Sequence, residues 1–173
     1  QWKGWDVLVE YAYKANTPAT ENDFSYRHGD ALLASLSYSR RGLSFLAQMK
    51  RSDNMSFRSQ SEFYGVAGRL NLLPAFDKQH TYHLPALNGY ATRYADGEWA
   101  FQTELRYTWP RKSRFGGKYG TTLAFAAAHI RGLASPGSWA MDTSREGEYY
   151  TDINIELNKR LSKRWWLNAM LMY

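Results

Sequence analysis

His80 and His83 stand three apart in a polar run that also holds Asp77, and imidazoles with a carboxylate are the raw material of a metal site. That spacing brings two rings together on a helix, but Pro74 and Pro85 flank the run and no helical period supports one. They are expected to be loop or rim histidines, and no metal is assigned. His28 and His129 are single and far apart in sequence. A serine and a histidine held on neighbouring strands would allow attack on an ester carbonyl. His129 lies on a plausible face for this, yet no serine partner can be identified. Asp152 and Glu156 are four apart on one side of a strand, too far for direct pairing. They read instead as members of a charge network with Arg or Lys from other strands. No phosphate loop, triad signature or cofactor motif appears. No catalytic residue and no cofactor is therefore expected, and the chain does not read as an enzyme.

The elements that carry these residues are set by composition. A chain of 173 residues suffices for one domain. Thirteen Tyr, seven Trp and thirteen Gly favour pleated, half-buried surfaces with turns over helices. No apolar run reaches the ~18 residues of a transmembrane helix. A membrane barrel is untouched by that absence, because it signals through short alternating segments. Cysteine is absent, so neither disulfides nor Cys-based metal sites occur and the compartment stays open. Gln1 is preceded by no initiator Met or signal peptide, so the expectation is a mature chain or a piece of a longer one. The net charge of +6 is expected to collect in turns and loops, with contact to acidic lipid head groups as the sharper reading. Without a basic helix, stacking motif or phosphate loop beside the charge, no nucleic acid is expected as a partner.

Period-two patterning runs through most of the chain. From Trp5 to Lys14 one face carries Trp5, Val7, Val9, Tyr11 and Tyr13. A hairpin follows a long polar loop at 15–29. Pairing Tyr38 with Leu43 and Leu36 with Phe45 aligns both apolar faces and leaves Arg40 and Arg41 as the turn. A further strand is expected at 58–72. Trp99, Phe101, Thr103, Leu105, Tyr107 and Trp109 alternate with Glu98, Gln102, Glu104 and Arg106. Past the basic, Gly-rich link at 110–120, a strand at 121–131 is ambiguous between its alanine face and Leu123, Phe125 and Ala127. Pairing Leu105 with Phe125 decides for the latter, and sets His129 and Arg131 beside Phe101 and Trp99. After a loop at 132–147, the last hairpin is expected to set Tyr149, Thr151, Ile153, Ile155 and Leu157 against Tyr173, Leu171, Ala169, Leu167 and Trp165. Its turn is then 159–163. The result is a single all-β domain, an antiparallel up-and-down barrel.

Alternation alone does not say whether the apolar face meets a core or lipid. Strands of about ten residues span a hydrocarbon layer when tilted. Trp5, Tyr13, Tyr38, Trp99, Trp109, Tyr149, Trp165 and Tyr173 sit at strand ends on the apolar face, as membrane-interface girdles do. The other face carries Glu10, Lys50, Glu98, Glu104, Arg106, Asp152 and Glu156, the mixture expected of a wet or networked lumen. Charges avoid the middle of the apolar face, where one Lys or Arg costs roughly 2–4 kcal/mol in a bilayer. A transmembrane barrel is therefore preferred to a soluble one. Short turns of such barrels lie on the periplasmic side. One extra strand near 87–93 puts both tight turns there, making nine, an odd set that reads as part of a larger barrel. Arg111, Lys112, Arg114 and Lys118 in the 110–120 link then fall on the periplasmic side. They read as a solvated basic turn, or as a contact for lipid phosphates or, better there, an acidic partner protein.

The stretches KQHTYHLPALNGYAT (78–92), GEWAFQTELRYTW (97–109), GGKYGTTLAF (116–125) and YYTDINIELNKRLSKRWWLNAMLMY (149–173) resemble an uncharacterised family of outer-membrane β-barrels from Bacteroidota, a domain of unknown function. The resemblance covers roughly the second half of the chain, and GGKYGT and DINIE are its most specific parts. It implies an outer-membrane location and a barrel longer than this chain, and carries over no functional residue. The expected function is a porin-like channel or a scaffold subunit of an outer-membrane complex. Its partners are then the lipid bilayer, lipopolysaccharide and other outer-membrane or periplasmic proteins. The alternatives are a soluble barrel binding an apolar ligand and a barrel enzyme acting on lipids.

Overall fold

A computed structural model of the chain describes residues 3–15, 18, 23–56, 59, 76 and 97–173. These form seven strands: β1 (Trp5–Lys14), β2 (Gly29–Arg40), β3 (Leu43–Asp53), β4 (Glu98–Trp109), β5 (Thr121–Gly132), β6 (Glu148–Arg160) and β7 (Trp166–Met172). Each pairs antiparallel with its sequence neighbours, so the sheet runs β1 to β7 in order. The fold is thus all-β and up-and-down. Among the described residues β1 and β7 are not paired, and the sheet is not closed into a barrel.

Two expected strands, at 58–72 and 87–93, lie outside the described residues. The sheet has no place for them between β3 and β4, which are direct neighbours with Phe45 opposite Leu105. The extra strand invoked to bring the tight turns together is therefore not needed. Seven strands in simple succession already put the β2–β3, β4–β5 and β6–β7 links at one end, and the longer links at the other.

Two registers differ from expectation, both through their turns. Tyr38 pairs with Phe45 and Arg40 with Leu43, so the hairpin turns on Arg41 and Gly42 instead of Arg40 and Arg41. A two-residue turn needs a positive φ, and Gly42 supplies it at 82° where an arginine would be strained. In the last hairpin Leu157 faces Ala169 and Tyr173 faces Ile153, a shift of four from pairing Tyr149 with Tyr173. Strand β6 continues to Arg160, and the turn is closed beyond it. The Leu161 amide donates to the Trp165 carbonyl at 3.0 Å, while the Ser162 hydroxyl accepts from the amides of Arg164 and Trp165 at 3.2 and 3.1 Å. An even shift leaves every face unchanged. The expected β4–β5 register holds throughout: Leu105 faces Phe125, Tyr107 faces Leu123, Phe101 faces His129 and Trp99 faces Arg131.

Burial runs opposite to that of a soluble sheet. On the apolar face Val7 is 68% exposed, Val9 63%, Leu105 44% and Leu171 67%. On the polar face Lys50, Glu98, Ala100 and Ile130 are fully buried. The alanine ambiguity resolves the same way: Ala124, Ala126 and Ala128 lie buried on the polar face, and Leu123 and Phe125 are turned out. Leaving one large apolar side chain in water forgoes roughly 1.5–3 kcal/mol. A whole face of them exceeds the ~5–15 kcal/mol that stabilises a folded domain.

Candidate functional site

Strand pairing places Glu10, Lys50, Glu98, Glu104, Arg106, Asp152 and Glu156 on one face, as expected. Their surroundings divide that face in two. Toward the long links it is packed. Lys50 Nζ lies 2.6 Å from Glu98 Oε1, a buried ion pair. The Phe76 ring covers Lys50 at 5.2 Å and packs with Ala100 and Ile130, against which Leu33, Tyr149 and Tyr150 also lie. Toward the middle, the side chains form amide–carboxylate ladders. Asn154 donates to Asp152 at 2.7 Å, Asn158 to Glu156 at 2.8 Å and Gln102 to Glu104 at 2.9 Å. Each bond joins residues two apart on one strand, a reach that period-two placement on one face makes natural. Asp152 receives Asn154 and Glu156 receives Asn158, while the pairing with a cation of another strand falls on Glu98.

A second charged group at the same end was not foreseen. Arg51 and Asp53 break the apolar pattern of β3, and this break is the signal that could have found them. Arg51 is fully buried, with Nη1 2.6 Å from Asp30 Oδ2, and donates to the Ser138 carbonyl at 2.8 Å. Its guanidinium lies 4.3 Å from the Trp139 ring centroid, a stacked cation–π contact. Trp99 donates to the Trp139 carbonyl at 3.1 Å, so the 133–147 link folds back over β3 and β4. Arg27 pairs with Asp53 at 2.5 Å, and Asn54 donates to the carbonyls of Arg27 and His28. Within the link, the Ser144 hydroxyl and amide hold the Asp142 carboxyl below the usual carboxylate range.

Of the aromatics expected at strand ends, Trp5, Tyr13, Tyr38, Trp99 and Trp109 fall on the apolar face, whereas the bulge in β6 turns Tyr149 to the packed inner face. Trp5 and Tyr38 have ring centroids 4.6 Å apart, and Trp109 meets Tyr107 at 5.0 Å and Phe115 at 5.8 Å. Trp99 stacks on Phe101 at 5.9 Å and Tyr13 on His28 at 6.1 Å. Tyr149 packs beside the Phe76 cluster, Trp165 stands in the last turn and Tyr173 faces Ile153. The cluster of Arg111, Lys112, Arg114 and Lys118 lies at the turn end, and all four are exposed.

His129 does have a hydroxyl neighbour, on the next strand. Its Nδ1 is 2.8 Å from Thr151 Oγ1, which lies 2.5 Å from Glu148 Oε1. One hydroxyl has one proton. Given to Glu148, it leaves Thr151 an acceptor of the imidazole N–H and no nucleophile facing a base. A fluorophosphonate probe is expected to leave Thr151 unmodified, as read by peptide mass spectrometry; labelling that His129→Ala abolishes would restore the lipid-enzyme reading. Among the described residues no group of His, Asp and Glu forms a metal site, and Asp77, His80 and His83 lie outside them.

The family described as a family of unknown function (DUF6029) matches residues 1–173, the whole chain and not its second half alone. No curated protein and no solved structure matches.

Proposed function

Since the chain belongs to DUF6029, a family to which no activity is attached, we propose that it builds part of the wall of a bacterial outer-membrane β-barrel, acting as a channel or as a scaffold subunit of an outer-membrane complex. One observation carries the reading: large apolar side chains stand exposed along one face of an all-antiparallel sheet, while the other face buries Lys50, Glu98, Asp152 and Asn154. Hydrocarbon is the solvent that makes such an inversion favourable. The strands of β2 to β6 run from 11 to 13 residues, enough to cross it when tilted. In lipid the edges of β1 and β7 that are unpaired among the described residues would leave backbone groups unsatisfied, so the reading requires further strands to close the wall. Its partners are the bilayer, lipopolysaccharide and neighbouring outer-membrane or periplasmic proteins.

Fractionation of the native protein, followed by gels with and without boiling, tests this directly. The expected outcome is recovery in outer membranes with a band whose mobility changes on heating. Recovery as a soluble monomer without detergent would sink the proposal and point to an apolar ligand covering the exposed face.

A further inference from the structure

Charge is distributed unevenly along the strands. At the end of the long links, Arg27, Lys50, Arg51 and Arg131 each face a carboxylate, on Asp53, Glu98, Asp30 and Glu148. At the turn end, residues 38–45, 107–123 and 157–173 contain no Asp or Glu. Arg40, Arg41, Arg111, Lys112, Lys163 and Arg164 stand exposed there, and among the described residues none has a carboxylate partner.

The three turns that carry them are tied together. The Thr108 amide donates to the Gly42 carbonyl at 2.7 Å, joining the first turn to β4. Arg160 stacks between Tyr119 and Trp166, at 5.0 and 5.2 Å, joining the second link to the last turn. The 110–120 link is itself held in shape: the Lys112 backbone amide donates to the Gly117 carbonyl at 2.6 Å, the Gly117 amide to the Ser113 carbonyl at 3.0 Å and the Ser113 hydroxyl to the Pro110 carbonyl at 2.7 Å. Its cations are thus presented by a folded rim. Among them Phe115 is 61% exposed and Trp165 72%. Bare aromatic rings interleaved with uncompensated cations suit the interfacial layer of an anionic membrane, where rings sit at headgroup level and phosphates meet the charges.

We propose that this turn end is a binding rim for the phosphates of anionic phospholipids in the leaflet adjoining the short turns. The inference rests on the membrane-barrel reading and adds to it a ligand class and an orientation, since short turns of such barrels face the periplasm.

The test is native mass spectrometry of protein folded in zwitterionic micelles and titrated with phosphatidylglycerol or phosphatidylcholine of matched chains. Phosphatidylglycerol is expected to bind at least about tenfold more tightly. Each Lys or Arg near an anionic surface is worth roughly fivefold, so Arg111→Gln, Lys112→Gln, Arg114→Gln and Lys118→Gln together should abolish the preference. Arg40→Gln with Arg41→Gln, on a separate turn, should reduce it, and Arg145→Gln at the opposite end should not. Equal binding of the two lipids, or a preference that survives the quadruple change, would overturn the rim. So would tighter binding of lipid A phosphates, which places the turns in the other leaflet, or displacement by equimolar inorganic phosphate. A chain that folds without detergent or lipid would instead remove the barrel reading itself. The unboiled gel band shows whether each variant is folded.

Discussion

Replacing Glu98 by Ala is expected to destabilise the fold by about 3–5 kcal/mol, the usual result of removing one partner from a buried ion pair. Lys50 and Glu98 are both fully buried, and the Phe76 ring closes over the ammonium. Without the carboxylate, Lys50 loses the counter-ion 2.6 Å away in a dry site, or water enters by displacing the packing around Ala100 and Ile130. Removing both charges is another matter. Lys50→Met with Glu98→Leu keeps the volume and abolishes the desolvation penalty of two ions, so the double variant is expected within about 1 kcal/mol of the parent or above it. Urea titration in micelles, read by the heat-modifiable band or by tryptophan emission, measures all three. The result bears on function as well as stability. A loss below about 1 kcal/mol for Glu98→Ala would mean that water reaches Lys50 freely, hence that the inner face is open at the long-link end. The full loss, with rescue by the double variant, would mean that this end is sealed, which favours a scaffold or a gated channel over an always-open one. Conductance in planar bilayers then decides between those two.

Much of this arrangement was legible in the residue order, because a sheet records its faces with period two. Strand β1 was bounded at Trp5 and Lys14 by aromatics and charge alternation, and the β4–β5 register followed from matching Leu105 to Phe125. The seven inner polar residues were assigned to one face for the same reason. What alternation does not encode is where a turn begins. Two tandem arginines looked like the natural turn, but backbone geometry chose Gly42 for its positive φ. Ser162 capped the last turn two residues later than the basic run implied. The charged group at the far end was hidden for a different reason. Arg27 and Asp30 come from one stretch of chain, Arg51 and Asp53 from a second and Trp139 from a third, so only the fold brings them together. Likewise, the sequence identifies no serine for His129, and its threonine becomes visible only with β6 set beside β5 and His129 opposite Thr151.

Placing an arginine at Val9 separates the two solvents for the exposed face most sharply. Val9 sits in the middle of β1, is 63% exposed and pairs with Ala34 on β2. If water covers this face, the change removes little contact and adds a solvated charge, so stability should move by no more than about 0.5 kcal/mol. If acyl chains cover it, the guanidinium lies at hydrocarbon depth and the loss should be about 2–4 kcal/mol. An inner-face control on the same strand fixes the interpretation. Glu10 points to the opposite side, so Glu10→Gln should change folding in vesicles by much less than Val9→Arg. Depth gives a second check that water cannot imitate. Trp5 lies toward the turn end, beside Tyr38, where an interfacial arginine costs only about 0–1 kcal/mol. A destabilisation that is large for Val9→Arg and small for Trp5→Arg would trace the hydrocarbon profile along a single strand. Equal, small effects at both positions would return the face to water. A larger loss at Trp5 would show that ring packing against Tyr38, and not lipid, governs the outer surface.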